Sequence, residues 1–553
     1  MRFRWHTWLV VPVLLFLGIF YFYPLISIFF MSFMPDGIFD AGKLYKLTST
    51  SYYAGVLWFT AWQAVVSTLL TVIIALPSAY FFARYAFKGK ALIQSLTTIP
   101  FVLPTVVTAA GFQALLGPRG LVNTMLMRLF QLENAVINID QTVWFFLLAH
   151  IFYNFTVVLR IVGGFWSRLP KNLTESARML GASSAKTFAT ITLPLLMPAI
   201  LAASLLVFIF CFTSFGVVLI LGGPRYATVE VEIYRQALHL FNLPMASALA
   251  LIQMGFTFGL MALYTRLERK VSISLMLQPS PRVDQRLATP KQHFWVAANI
   301  LWMALLLGTP LMALMIQSIL TEDGLSLVYY AGLLENRTTS ILYVSPITAI
   351  ANSLGYALGA TLIALVLGWF SAIYLARSKG KWSAVLDPVF MLPLSTSAIT
   401  LGFGFVIALD EPPFNLRSSL LLPAIAHAMV AFPFVIRSIL PALRSMPKNL
   451  REAAAMLGAS PLRIWISIEW PILRRALMVG AVFAFAISMG EFGATVFVVR
   501  PQTPTMPLAI FRYLSHPGTL NYGMAMAMST LLMITTAGGF LFLEKFKPRH
   551  GGI

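Results

Sequence analysis

Four polar side chains within apolar stretches of the chain have the types and positions that could do chemistry. They are His150, Ser214, His427 and Glu491. Glu491 is the most informative, because an acidic group in such surroundings is costly and usually faces a cavity or a partner. We interpret it either as a polar group beside a pathway for a cationic solute, or as an acid that is protonated or forms a hydrogen bond between helices.

The two histidines have matched positions, since His150 and His427 are separated by 277 residues. A hydrogen bond between helices is the simpler interpretation of this pair, and a pathway lining is the alternative. The seven histidines are otherwise scattered, and none has another at the helical spacing of a metal-binding pair. We therefore predict no catalytic residue, no metal site and no cofactor.

The elements that hold these residues follow from the composition. Hydrophobic residues make up 59% of the 553 positions and charged residues only 10%, whereas about a quarter of the residues in a soluble domain are charged. Apolar runs recur along the chain, and each is long enough to cross a bilayer as a helix. The sequence predicts an all-α polytopic membrane protein with twelve transmembrane helices. The predicted spans lie near 8–33, 56–83, 94–116, 142–164, 196–221, 244–265, 295–320, 347–376, 387–409, 418–440, 473–499 and 521–543.

The basic residues predict how the chain is oriented. Most of the 39 lysine and arginine residues fall in one set of alternate loops, and cytoplasmic loops carry such an excess. We expect both termini to be cytoplasmic, in a bacterial-type plasma (inner) membrane. The net charge of +20 then reflects orientation and attraction to anionic lipid, so membrane lipid is a predicted partner and nucleic acid is not.

Two polar segments repeat almost residue for residue, again 277 positions apart. The first runs from Pro170 to Ser183 as PKNLTESARMLGAS, and the second runs from Pro447 to Ser460 as PKNLREAAAMLGAS. Both fall between the fourth and fifth predicted span of their half, on the cytoplasmic side. Two matched polar helices in an otherwise apolar chain indicate a surface that is offered to a partner.

The repeat extends over most of the chain and divides it into two halves. Upstream of the polar segments the separation becomes 293 positions, as for Gly111 and Gly404. Because six spans per half is an even number, both halves enter the membrane from the same side, and they should pack around a pseudo-twofold axis along the membrane normal. We predict a first domain at 1–270, a cytoplasmic linker at 271–294 and a second domain at 295–553.

Each polar segment is predicted to form a short amphipathic helix. Its apolar positions, at helical spacing, are Leu173, Ala177 and Leu180 in the first copy and Leu450, Ala454 and Leu457 in the second. Gly181 and Gly458 can end these helices in a left-handed conformation. A helix lying on lipid headgroups would explain the stripe, but the matched residues favour docking into a groove on a twofold-related partner.

The two segments resemble the EAA motif of permease subunits in binding-protein-dependent ABC importers. The resemblance is carried by Glu175-Ser-Ala-x-x-x-Gly181 and Glu452-Ala-Ala-x-x-x-Gly458, with Ser176 as a small departure. It covers both halves and is similar to the subgroup in which two permease domains are fused, such as ferric-iron and thiamine importer permeases. It implies EAA loops at 165–195 and 441–472. The implied ATPase-coupling residues are Glu175, Ala177, Gly181, Glu452, Ala453, Ala454 and Gly458.

The resemblance further implies the partners and the function. Two copies of a cytoplasmic ABC ATPase would bind the EAA loops, and an extracytoplasmic solute-binding protein would deliver a small solute, with ferric iron or thiamine as the leading expectations. Polyamines and anions such as sulfate remain alternatives. On the outer side, Tyr234 and Phe511 either contact the binding protein or cap the fifth and sixth spans.

The sequence lacks the motifs that two other functions would require. An ion-coupled secondary transporter with 6+6 parallel repeats is the alternative, but the segment from Arg84 to Lys90 lacks the acidic residue expected between its second and third spans. The nearest match to a nucleotide-binding loop, Gly37 to Lys43, is followed by Leu44 where a Ser or Thr would hold Mg²⁺. We therefore expect that the chain is not an enzyme and that a separate subunit hydrolyses ATP.

Overall fold

The fold is almost entirely helical. The computed structural model describes residues 8–544 apart from positions 36, 41, 277–284, 336–340, 379–380, 411 and 447. Within the described residues, the strands are two short pairs. β1 (Tyr85–Ala86) pairs in parallel with β2 (Gln285–Arg286), and β3 (Leu320–Thr321) pairs antiparallel with β4 (Gly324–Leu325).

The helices of the first half are numbered in chain order. They are α1 Val10–Leu17, α2 Tyr23–Phe33, α3 Gly42–Ser49, α4 Ser51–Arg84, α5 Lys90–Leu96, α6 Ile99–Val102, α7 Thr105–Leu116, α8 Leu121–Phe130, α9 Val143–Trp166, α10 Lys171–Met179, α11 Ser184–Thr187, α12 Leu193–Phe212, α13 Gly216–Leu221, α14 Val229–Leu238 and α15 Leu243–Met276. π-Helical turns at Gly18–Phe22 and Phe188–Thr192 join α1 to α2 and α11 to α12.

The second half repeats this order. Its helices are α16 Pro290–Gln317, α17 Val328–Gly332, α18 Pro346–Arg377, α19 Lys381–Ser395, α20 Ala398–Leu409, α21 Leu422–Arg444, α22 Lys448–Met456, α23 Pro461–Ile464, α24 Trp470–Gly490, α25 Thr495–Val498, α26 Met506–Leu514 and α27 Thr519–Glu544. A 3₁₀ turn lies at Leu416–Ser418, and a π-helical turn at Trp465–Glu469 joins α23 to α24.

Ten of these helical segments are long and apolar enough to cross a membrane, or twelve when each of two bent pairs counts as one span. The predicted number of twelve includes the bent pairs, which are the third and ninth spans. They bend by 102° between Lys90–Val102 and Thr105–Phe130, and by 95° between Trp382–Ser395 and Ala398–Leu409. Pro104 is the N-cap of α7, and the Ser397 hydroxyl accepts a bond from Thr400 N at the start of α20.

The fifth and eleventh spans end earlier than the sequence predicted, at Phe212 and Gly490 rather than near 221 and 499. The segments Ser214-Phe-Gly and Glu491-Phe-Gly therefore lie in breaks after these spans and not inside them. A Cβ at Gly216 would lie 2.6 Å from Thr105 Oγ1, and one at Gly493 would lie 3.0 Å from the Ala398 side chain. Hydropathy does not reveal such a break, because irregular backbone is tolerated at membrane depth where protein buries it.

The first span of each half packs against the third span of the other half. A Cβ on Gly111 would lie 3.2 Å from Pro310 O, and one on Gly404 would lie 3.0 Å from Pro24 Cβ. Gly111 and Gly404 are equivalent in the repeat, so the same contact between a first span and the third span of the other half occurs twice. One continuous hydrophobic core runs through both halves as a result, and the halves interlock through helices as well as through the linker.

The predicted linker at 271–294 includes residues 277–284, which lie outside the described residues. Helix α15 continues to Met276. Helix α16 already begins at Pro290, with a capping box formed by Thr289 and Gln292. Within the described residues, helices therefore enter the predicted linker from both sides, and its bounds stay a prediction.

Candidate functional site

The matched polar segments form the helices α10 and α22, which we call the loop helices. Each ends at a glycine with a left-handed backbone, Gly181 at a φ of +81° and Gly458 at a φ of +80°. Ala182 N donates to Ala177 O at 3.0 Å, and Ala459 N donates to Ala454 O at 3.0 Å. These bonds satisfy carbonyls that a helix end leaves open. The prediction that the two glycines end the helices is confirmed.

The ends of the loop helices present apolar side chains to solvent. Met179 and Leu180 are each 89% exposed, Met456 is 90% exposed and Leu457 is 88% exposed. Large apolar side chains exposed together at equivalent places mark an interaction surface more often than chance. The predicted apolar stripe of the first helix is divided, because Ala177 is buried against the protein while Leu180 points outward.

The other predicted coupling residues lie on the same helices, and most of them face solvent. The Glu175 and Glu452 side chains are exposed, as is Ala453, whereas Ala454 is half-buried. Both acidic groups are thus accessible to a partner that approaches the loop helices from solvent. Their role in coupling stays a prediction.

The predicted pathway residues of the first half contact one another. His150 lies on α9 and is buried, with its Nδ1 at 2.9 Å from Ser67 Oγ and its Nε2 at 2.9 Å from Ser214 Oγ. The ring therefore connects the second span, the fourth span and the break after the fifth span. This is the contact pattern of a histidine that joins helices.

In the second half the matched histidine has different partners, which include an acid. His427 Nδ1 lies 2.8 Å from Ser488 Oγ, and its Nε2 lies 2.8 Å from Thr495 Oγ1 and 3.4 Å from Glu491 Oε2. Glu491 also accepts bonds from Ala494 N at 2.7 Å and from Thr495 N at 2.9 Å. The acid therefore caps the short helix α25, which suits the interpretation as a hydrogen-bond partner. The pathway role of these residues stays a prediction.

Two aromatic rings from the breaks meet between the halves. Phe215 and Phe492 stack with ring centroids 5.3 Å apart and planes inclined by 25°. They are separated by 277 positions and are therefore equivalent residues. Equivalent residues of a twofold arrangement touch each other only at its axis. Both rings are buried, so the pseudo-axis is closed at this level.

A second pair of equivalent aromatic residues supports this stack. Tyr234 lies 5.5 Å from Phe215, and Phe511 lies 5.4 Å from Phe492, both measured between ring centroids. We call these four residues the axial cluster. Tyr234 and Phe511 thus pack on the axis, behind the stacked rings. The sequence analysis missed Phe215 and Phe492, although an aromatic residue conserved between the two copies of the repeat was a usable signal.

Glu230, which lies four residues before Tyr234 on the same helix, is a buried carboxyl that the sequence analysis also missed. It lies on α14 and accepts a bond from Ser397 Oγ in the other half at 3.0 Å, as well as one from Gln253. Burial raises the pKa of Glu230 to about 8, and the two hydrogen bonds lower it only partly. The repeat places Pro507 at the equivalent position, so only the first half carries this acid.

The first loop helix and Phe215 of the axial cluster lie at opposite ends of the fifth span. The fifth span contains 29 residues from Ser184 to Phe212, which corresponds to about 43 Å at the rise of an α-helix. Helix α10 precedes this span, and Phe215 follows it. The fifth span therefore connects the first loop helix to the stacked rings of Phe215 and Phe492, and a displacement of the loop helix could be transmitted along it.

The chain matches a known family over both halves. The family described as "Binding-protein-dependent transport system inner membrane component" matches residues 75–273 and 364–549. Together these ranges make up well over half of the chain.

Curated relatives of similar length also match. The thiamine transport system permease protein ThiP of Brucella abortus (strain 2308) is 29% identical over 507 residues, which covers 90% of this chain and 88% of that protein. ThiP of Escherichia coli (strain K12) is 27% identical over 525 residues, with 90% of each chain covered. The ferric transport system permease protein FbpB of Actinobacillus pleuropneumoniae is 23% identical over 553 residues, with 97% of this chain and 77% of that protein covered.

Among solved structures, a bacterial ABC transporter involved in the import of the acidic polysaccharide alginate is similar to part of the chain. The similarity covers 47% of this chain and 93% of the matched chain, at 18% sequence identity and a TM-score of 0.41.

Proposed function

The chain belongs to the family of binding-protein-dependent transport system inner membrane components, and we propose that the solute it moves is thiamine, with ferric iron as the second candidate. It is a permease subunit of an ABC importer, and an ATPase and a solute-binding protein are its partners. An ion-coupled secondary transporter does not belong to this family.

Thiamine is favoured by the relatives and by the chemistry of the closure. Relatives named as thiamine permeases are 25–29% identical to this chain, whereas the ferric permease relative is 23% identical. Thiamine is an organic cation with aromatic rings, and aromatic side chains attract such cations through their ring faces. Once the halves separate, the axial cluster and Glu230 would offer ring faces and a carboxyl to a solute that enters from the outer side.

The assembly we propose has two ATPase copies and one binding protein. Each ATPase copy binds one loop helix, through the exposed tip residues and through Glu175 or Glu452. Both termini and the linker at 271–294 are cytoplasmic, and permease domains at 1–270 and 295–553 lie on either side of it. ATP hydrolysis takes place on the separate ATPase subunit, so this chain catalyses no bond chemistry.

Transport then couples a movement of the loop helices to the opening of the axial cluster. Closure of the ATPase dimer draws the loop helices together, and the interlocked halves tilt. The tilt separates Phe215 from Phe492 and opens the outer side to the docked binding protein. Four polar residues position the chain breaks that carry these two rings, and they remain the candidate residues of the pathway: Ser214, Glu491, His150 and His427.

The observation that carries this proposal is the pair of equivalent loop helices in a chain of this family. The first test replaces Glu175 and Glu452 with Lys and measures co-purification of the variant with the ATPase. The second test measures uptake of labelled thiamine and of labelled ferric iron by vesicles reconstituted with the unmodified assembly. We expect loss of ATPase association in a protein that still unfolds at the wild-type temperature. Unimpaired association would contradict the coupling role, and uptake of iron without thiamine would reverse the order of the two solutes.

A further inference from the structure

An ion pair joins the second loop helix to the membrane-spanning part of its half. Arg451 Nε on α22 lies 2.8 Å from Glu469 Oε1. Glu469 is the last residue of the π-helical turn Trp465–Glu469, which leads directly into α24 near the start of the eleventh span. The pair therefore bridges the bend of the chain between the loop helix and the helix that crosses the membrane.

The acidic member of the pair is shielded from solvent. The Glu469 side chain is 7% exposed, whereas the Arg451 side chain is 46% exposed. A buried carboxylate is costly unless a cation and hydrogen bonds compensate its charge. Arg377, the last residue of α18, interacts electrostatically with both members of the pair. Glu469 thus lies close to cations from two other helices, and loss of its charge would leave those two like charges near each other.

The ion pair stands at one end of a direct path to the axial cluster. Helix α24 contains 21 residues from Trp470 to Gly490, which corresponds to about 32 Å at the rise of an α-helix. Phe492 of the axial cluster follows two residues after its end. Helices α18 and α24 also pack against each other. A displacement of α22 would therefore act through the ion pair on the helix that carries Phe492.

The first half has the same backbone at this place and different side chains. Its π-helical turn at Phe188–Thr192 lies 277 positions before the one in the second half. Such turns recur at functional sites. The repeat equivalents of Arg451 and Glu469 are Thr174 and Thr192, which carry no charge and cannot form an ion pair with each other. The two loop helices are therefore attached to their spans by different contacts.

We propose that Arg451 and Glu469 are positioning residues, which fix the second loop helix to the eleventh span so that a movement imposed by the ATPase reaches the axial cluster. A pair with a buried member suits this role, because its rupture costs far more than that of an exposed pair. The role in transport rests on the proposed function, since it needs an ATPase bound to α22. The attachment itself can be measured in the isolated chain.

The first test measures the attachment in the purified full-length chain without partners. Glu469→Gln keeps the size of the side chain and removes its charge. We expect the backbone amides of α22 to exchange with solvent about fivefold faster or more, while the amides of α10 keep their wild-type rates. Unchanged exchange in α22 would overturn the proposal, whatever solute the chain transports.

The second test measures coupling in the assembled complex. Glu469→Gln should still co-purify with the ATPase, because the carboxyl is buried and the docking residues of α22 are unchanged. Stimulation of ATP hydrolysis by the binding protein should fall about fivefold or more, as for loss of a coupling between two sites. Wild-type stimulation in this variant would overturn the proposal. Absence of stimulation in the wild-type complex would instead contradict the proposed function.

Further variants separate the ion pair from general damage. Arg463→Gln is the matched control, since Arg463 is an exposed cation on α23 between the two joined elements, and it should keep wild-type exchange and stimulation. Arg451→Lys keeps a cation near Glu469 and should retain most of the stimulation, whereas Arg451→Gln should lose it.

A double-mutant cycle completes the test. Arg451→Gln combined with Glu469→Gln should impair stimulation little more than either change alone, because both remove the same contact. Additive losses would show that the two residues act independently, which would count against the proposal. Arg451→Gln alone decides the matter if Glu469→Gln fails to fold, and wild-type stimulation in it would overturn the proposal.

Discussion

Phe215 and Phe492 are equivalent residues of the two halves, and their rings stack with centroids 5.3 Å apart. Because this contact lies on the pseudo-axis, any motion that moves the halves apart at that level must break it. The contact stands beyond the outer ends of the fifth and eleventh spans, far from the loop helices. Its separation would therefore report that the halves have moved apart at the end of these spans remote from the loop helices.

Phe215→Ala should favour the open outer side. A stacked aromatic pair contributes about 0.5–1.5 kcal/mol beyond its buried area, so the population of the open form should rise by up to about tenfold. In the assembled complex, ATP hydrolysis in the absence of binding protein should increase accordingly. Phe256→Ala is the control, since Phe256 stacks on Phe212 within one half at 4.7 Å and its loss should leave this basal rate unchanged. An equal increase in both variants would show that the axial position is irrelevant.

Glu230 should make the closure depend on pH. In the closed form its pKa is about 8 against an ordinary value of 4.5, and exposure on opening would return the pKa toward that ordinary value. Opening then releases a proton between about pH 5 and pH 8, so a rise in pH through this window favours opening and a fall favours closure. The measurement is basal ATP hydrolysis by the complex across that range, relative to Glu230→Gln, which should remove the dependence.

The control for Glu230 lies on the same helix. Glu232 is also buried, but it forms an ion pair with Arg235 at 3.3 Å and accepts a bond from Tyr52 within its own half. Glu232→Gln should therefore keep the slope with pH. If Glu230→Gln also keeps it, Glu230 does not sense the separation of the halves.

The exposed tips of the loop helices should contribute to ATPase binding and not to folding. Burial of a Met or Leu side chain contributes about 1.5–3 kcal/mol, so Met179→Gln with Leu180→Gln should weaken association by at least about tenfold. The unfolding temperature should stay at the wild-type value, because these side chains touch little of the protein. Leu129→Gln is the matched control, since Leu129 is 74% exposed on α8, away from the loop helices. Association that is as strong in the tip variant as in this control would contradict the docking surface.

Gly181→Ala should loosen the end of the first loop helix through the backbone alone. No atom lies within 4 Å of a Cβ built there, but the φ of +81° is strained for any residue with a side chain. The left-handed conformation costs about 1–2 kcal/mol, so exchange of the Ala182 amide with solvent should accelerate about 5–30-fold. Gly164→Ala, which also meets no atom but lies within a helix, should leave that amide unchanged. Wild-type exchange at Ala182 in Gly181→Ala would mean that the glycine is not needed for the turn.

Local features of the loop helices were predictable from the sequence. Gly181 and Gly458 end their helices as expected, because a helix end depends on the conformational freedom of one residue and on bonds to its near neighbours. By contrast, the ends of the fifth and eleventh spans were placed too far along, since the apolar run continues past the break.

The sequence by itself determined the helical membrane class, the twofold repeat and the two polar loop helices, because these depend on composition and on patterns along the chain. Only the tertiary structure decided that the first spans cross to the opposite half, that Phe215 meets Phe492 and that Glu230 is buried against Ser397. Those contacts join residues that are far apart in the chain. Hydropathy cannot predict them, because a lipid-facing helix surface and a buried one are equally apolar.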